Sequence, residues 1–108
     1  MPSISASRAA PPVVPFVTFE GIKYRQVLDA TEFGKDQRTG YLAAYPEDGD
    51  KPLWLLQVYQ TTKVGHLEQD VQDVFFKSMK LDAEHRQLLI ENELGNKFLV
   101  DIDNRTVK

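Results

Sequence analysis

The 108-residue sequence predicts an all-β domain of about seven antiparallel strands in meander order. Three observations carry that prediction. Short apolar runs alternate with polar residues at period two, and Gly- and Asp-containing turn formers separate them. Gly40 to Gln60 pairs two such runs around a polar turn. The last strong segment, Gln87 to Ile102, fits a hairpin better than a helix ending at Gly95. The strands are expected to close as a small open barrel, a sandwich or blade-like sheets. The alternative is an α+β fold with a helix near 67–80.

Residues 1–15 are rich in Ser, Ala and Pro, and Pro11, Pro12 and Pro15 favour extended chain. They are expected to form a disordered tail or linker before a single domain at 16–108. The first hairpin follows. With Glu20-Gly21 as its turn, Val17, Phe19, Ile22 and Tyr24 share one face, and Thr18, Lys23 and Arg25 the other. Asp29 to Thr39 is polar and without period, a long connection in which Phe33 is expected to tack the loop to the core.

Tyr41 to Tyr45 and Leu53 to Gln60 then flank the turn formers 46–51. Pairing Tyr45 with Pro52 sets Ala43 opposite Trp54, where a small residue makes room for the indole. Apolar residues on both faces of the second strand predict cover on both sides. Between Thr61 and Leu81 the spacing of Leu67, Val71, Val74, Phe75 and Met79 suits a helical face. The surrounding hairpins favour a strand from near Asp73, with Val74, Phe75 and Phe76 in the core. In the final hairpin a turn at Leu94-Gly95-Asn96 aligns Leu88, Ile90 and Asn92 with Ile102, Val100 and Phe98. Asp103-Asn104 makes a last turn before Thr106-Val107.

Gly40, Leu42, Ala44, Gly49, Lys51, Leu53 and Trp54 together resemble the repeat of quinoprotein-type β-propellers. The resemblance implies two strands of a blade, with the Trp docked on a neighbouring blade. Pro46 replaces the pattern's Asp, and Gly49-Asp50 its Thr-Gly. No cofactor residue of that family is matched, so no cofactor is implied. Leu88 to Asp101 also resembles the closing segment of a class of short bacterial proteins, a likeness that implies no activity.

Composition narrows the function classes. There is no cysteine, which removes disulfides, thiolate metal sites and cysteine nucleophiles. A net charge of −3 gives no basic footprint for nucleic acid. No apolar run approaches the roughly 18 residues of a membrane span. The expected location is the cytoplasm, or the periplasm or exterior if a signal peptide has been removed. The two histidines, His66 and His85, lack a nucleophile motif, so no catalytic residue is assigned.

The spacing His66-x-Glu68-x-Asp70, with Asp73 nearby, places three ligand types on one side of an extended segment. That makes a metal- or small-ligand-binding loop the alternative function. The favoured one is a non-catalytic protein-interaction or structural module. Its partner is an unidentified protein or a second copy, met through an edge strand or an aromatic surface at Trp54, Tyr41, Tyr59 and Phe33.

Overall fold

The computed structural model describes residues 13–61 and 73–108. These form eight strands in two open four-stranded antiparallel sheets, with no α-helix among the described residues. The first sheet is the meander β1 (Val17–Phe19), β2 (Ile22–Gln26), β3 (Tyr41–Pro46) and β4 (Trp54–Gln57). The second is β5 (Phe76–Asp82), β6 (Gln87–Asn92), β7 (Lys97–Asp101) and β8 (Thr106–Val107). The short β8 brings the count to eight. The sheets do not close into a barrel, because each meander ends in two unpaired edges.

The inner face of each sheet covers the other. Tyr24, Leu42 and Ala44 of the first sheet meet Phe76, Met79, Leu88, Ile90 and Val100 of the second in one core. Residues of the β1–β2 hairpin pair as the sequence predicts, Val17 with Tyr24 and Phe19 with Ile22, and all four pack against or within this core. Val14 also packs against it, so ordered contacts begin ahead of residue 16.

The β3–β4 register is offset by one residue from the expected one. Trp54 lies opposite Ala44, and Ala43 opposite Leu55. The turn is longer than expected, because Pro46 still pairs with Ile22 on β2 and Glu47 N donates to Gly21 O at 3.0 Å. A small residue still faces the indole, since both neighbours are alanine. The outer face of this sheet has its own small core of Val27, Ala30, Tyr41 and Ala43, with Tyr45 and Leu55 packed on it. The loop after β2 supplies its lid, and a 3-10 turn at Ala30–Phe33 carries Ala30 inward. Asp29 caps that turn through the Thr31 amide.

Strand β5 does not keep a regular alternation. Phe76 pairs with Asn92 but Ser78 pairs with Glu91, so a bulge at Lys77 inserts one residue. Phe76 and Met79 thereby reach the same buried face three residues apart, which is helical spacing in a strand. Residues 76–80 of the suggested helix are therefore strand, and 67–72 lie outside the described residues. The strand begins at Phe76 rather than near Asp73, with 73–75 in neither helix nor strand.

The β6–β7 hairpin turns at Glu93-Leu94-Gly95, one residue earlier than expected. Asn92 N donates to Asn96 O, and Gly95 takes a φ of 87°. Leu88 pairs with Val100 and Ile90 with Phe98, a shift of two that keeps the faces but changes every partner. Glu93 is drawn out of the ladder to the residue before β5, where its N donates to Phe75 O and its carboxylate accepts from Phe75 N, each at 3.0 Å.

Candidate functional site

The shifted register assembles a feature on the outer face of the second sheet. Side chains directly opposite in neighbouring strands share a face. Lys80 lies opposite Leu89, Leu89 opposite Leu99, and Leu99 exchanges backbone hydrogen bonds with Lys108 at 3.2 and 2.9 Å. One row thus reads Lys-Leu-Leu-Lys across β5, β6, β7 and the residue that follows β8. The adjacent row sets Ser78, Glu91 and Lys97 side by side. Between the rows is an open groove of about 440 Å³, floored by Leu89 and Leu99 and rimmed by Lys80, Lys97 and Lys108.

The electrostatics of this groove run against those of the chain. The protein is net acidic, yet three lysines and one glutamate line the groove, while the next row of the same face sets Asp82 and Asp101 on either side of Gln87. Lys77 reaches Glu91 at 3.9 Å. Lys80, Lys97 and Lys108 make no ion pair within the described residues. Leu89 is 42% exposed, a large apolar side chain open to water in a central strand.

The four aromatics expected to form a contact surface are not brought together. Tyr41 is only 8% exposed, sealed in the outer core of the first sheet with Lys35 above its ring, and offers no contact surface. Trp54 sits on the opposite face of that sheet, half-buried against Tyr24, with the Arg105 guanidinium 5.1 Å from its ring. Tyr59 stacks on Phe98 at 5.1 Å and donates its hydroxyl to Val74 O. Phe33 is 42% exposed and does not plug the loop; Ala30, wholly buried, has that part.

Of the expected metal ligands, His66, Glu68 and Asp70 lie outside the described residues. Asp73 lies 3.5 Å from the Arg38 guanidinium. Elsewhere Asp82, Glu84 and His85 bring ligand atoms within 4.8 Å of one another. The β5–β6 turn accounts for that cluster: Asp82 accepts from the His85 amide at 3.2 Å and meets its imidazole at 2.9 Å. These hydrogen bonds hold the Asp82 carboxyl below its usual pKa.

No catalytic or binding motif marks a residue of the groove, since the resemblance over Leu88 to Asp101 implies no activity. The groove's one sequence signal is that Leu89 and Leu99 occupy the polar phase of alternating strands. The expected register placed Leu89 opposite Asp101 and hid their pairing. No protein-family model matches the chain, and no solved structure matches it. Among the described residues no helix is long and apolar enough to cross a membrane.

Proposed function

We propose that this domain is a non-catalytic protein-interaction module whose contact surface is the outer face of β5–β8. The observation that carries the reading is the groove itself: exposed Leu89 beside half-buried Leu99, rimmed by three lysines that make no ion pair among the described residues. Exposed apolar groups inside a polar rim are what a docking site presents. The rest of the fold serves to hold that face rigid, because β6 and β7 are anchored from behind by Leu88, Ile90 and Val100.

Contact through an edge strand is the less favoured form of the same function. Strands β1, β4 and β8 have three, four and two residues, and β5 carries Lys77 and Lys80. Short or charged edges discourage strand addition.

The test is affinity capture from extract with wild type, Leu89→Asp and Leu53→Asp. Leu53 is more open, at 54% exposure, but precedes β4 in the first sheet. A stoichiometric protein lost only with Leu89→Asp supports the reading. The same capture by all three folded proteins overturns it. Light scattering across a concentration series adds the self-contact form, for which association must also depend on Leu89.

A further inference from the structure

We infer that the groove takes an extended acidic peptide, with two carboxylates four residues apart and an apolar side chain midway between them. This inference rests on the reading of the β5–β8 outer face as the contact surface, and it names the chemistry of the partner.

The geometry sets the spacing. Lys80 and Lys108 end a row that crosses three strand-to-strand intervals, and such intervals sum to roughly 14 Å. An extended peptide advances about 3.3 Å per residue, so residues i and i+4 lie roughly 13 Å apart. Side chains at even separations point the same way. Carboxylates at i and i+4 therefore reach the two terminal lysines while residue i+2 descends onto Leu89 and Leu99. Lys97, one row over, is placed for a further acidic residue or the peptide's own carbonyls.

Charge and shape both select this occupant. Among the described residues Lys80, Lys97 and Lys108 make no ion pair, and the one glutamate lining the groove, Glu91, lies 3.9 Å from Lys77. An anionic membrane is the poorer fit. The leucines line a concave groove rather than forming a protruding anchor that could enter a bilayer.

The test is fluorescence anisotropy on the full chain with a labelled synthetic peptide, Gly-Ser-Asp-Ser-Leu-Ser-Asp-Ser-Gly. Comparison peptides replace both Asp by Asn, or Leu by Ser. One exposed ion pair is worth up to about fivefold in affinity, so the Asn peptide should bind about three- to twentyfold more weakly. The Ser peptide should weaken as well. Lys80→Glu and Lys97→Glu should each lower affinity severalfold, with folding checked by their thermal melts, and added salt should weaken wild-type binding.

Equal binding of the Asp and Asn peptides, or unchanged binding by both lysine variants, overturns the inference. So does the absence of saturable binding up to roughly 1 mM, a limit near 4 kcal/mol of binding energy. Lysine-dependent sedimentation with phosphatidylserine vesicles, without peptide binding, would give the face to lipid and overturn it too. If the peptides fail while capture still requires Leu89, the acidic-peptide assignment falls and the reading of the face stands.

Discussion

At the scale of single residues, the polar side chains buried between the loops matter as much as the apolar core. Gln37 donates to Thr39 O at 2.7 Å and Tyr59 O at 2.8 Å, and accepts from Thr61 N at 3.1 Å. Thr39 accepts from Val74 N at 3.0 Å. The described chain on both sides of 62–72 is thus fastened to the same two residues. Gly40 makes the close approach possible. Its φ is 89°, and a Cβ there would lie 2.6 Å from Tyr59 O, which is backbone and cannot swing aside. Gly40→Ala should destabilise the domain by more than about 1 kcal/mol, combining a left-handed penalty with a clash. Chemical denaturation reads this as a lower midpoint.

Tyr59 gives a second prediction with a pH sign. Burial, and secondarily the charge of Glu93, pushes its hydroxyl well above the usual value of 10. The fold favours the neutral phenol, so this contribution is complete below pH 10 and is lost as pH rises beyond it. Tyr59→Phe removes the hydrogen bond to Val74 O and should cost about 0.5–1.5 kcal/mol at neutral pH. The variant should also lose less of its remaining stability than wild type on going from pH 8 to 11. Urea melts at the two pH values measure both effects.

At the scale of elements, much of the fold was legible because alternation is a local property. Val17, Phe19, Ile22 and Tyr24 declare their face within eight residues, and the Glu20-Gly21 turn leaves their pairing no freedom. Registers that depend on distant partners were not legible. Nothing near Glu93 in the chain says that it will bond the Phe75 backbone, so local alternation puts the β6–β7 turn one residue late. Ala43 and Ala44 are adjacent and equivalent, so the β3–β4 slip left no trace in composition. The bulge at Lys77 broke the period that would have marked β5. The candidate groove inherits these errors, since Leu89 and Leu99 become a site only when directly paired.

The same hairpin supplies an element-scale prediction. Asn92 is 2% exposed, and its Oδ1 accepts from the Leu94 and Asn96 amides, each at 3.0 Å. The side chain therefore fixes the turn that sets the register of β6 on β7. Asn92→Ala strands both turn amides and should cost about 1–3 kcal/mol. Asn92→Asp keeps the acceptor and should recover most of that loss at neutral pH. Equal loss in the two variants would mean that packing, and not the turn amides, gives Asn92 its importance.

At the scale of the whole molecule, the two sheets are joined at one end by a guanidinium. Arg86, in the β5–β6 turn, gives two 2.8 Å hydrogen bonds to Glu20 in the first sheet's leading hairpin. It also gives bonds of 2.8 and 3.0 Å to Asp103 before β8, and lies 5.1 Å over the Phe19 ring. Glu20 and Arg86 both adopt a φ of 54°, a left-handed conformation few side chains take, which turns the two hairpin tips toward each other. The hydrogen bonds from Arg86 are the main cause that holds the Glu20 and Asp103 carboxyls below their usual values of 4.5 and 3.8. A carboxyl with a lowered folded pKa contributes stability above its unfolded value and loses it as pH falls through the folded one. Wild type should therefore lose stability below about pH 4.5, as Glu20 and then Asp103 take up protons. Arg86→Gln removes the cause of both shifts and should flatten that acid limb, although Asp29 and Asp82, held low by their own turns, still contribute to it. All three partners face solvent, so the difference between the two proteins at neutral pH should shrink as salt is raised. Urea denaturation between pH 3 and 7, at low and high salt, measures both. An acid limb of equal slope in the two proteins would mean that the shared core joins the sheets without help from this clamp.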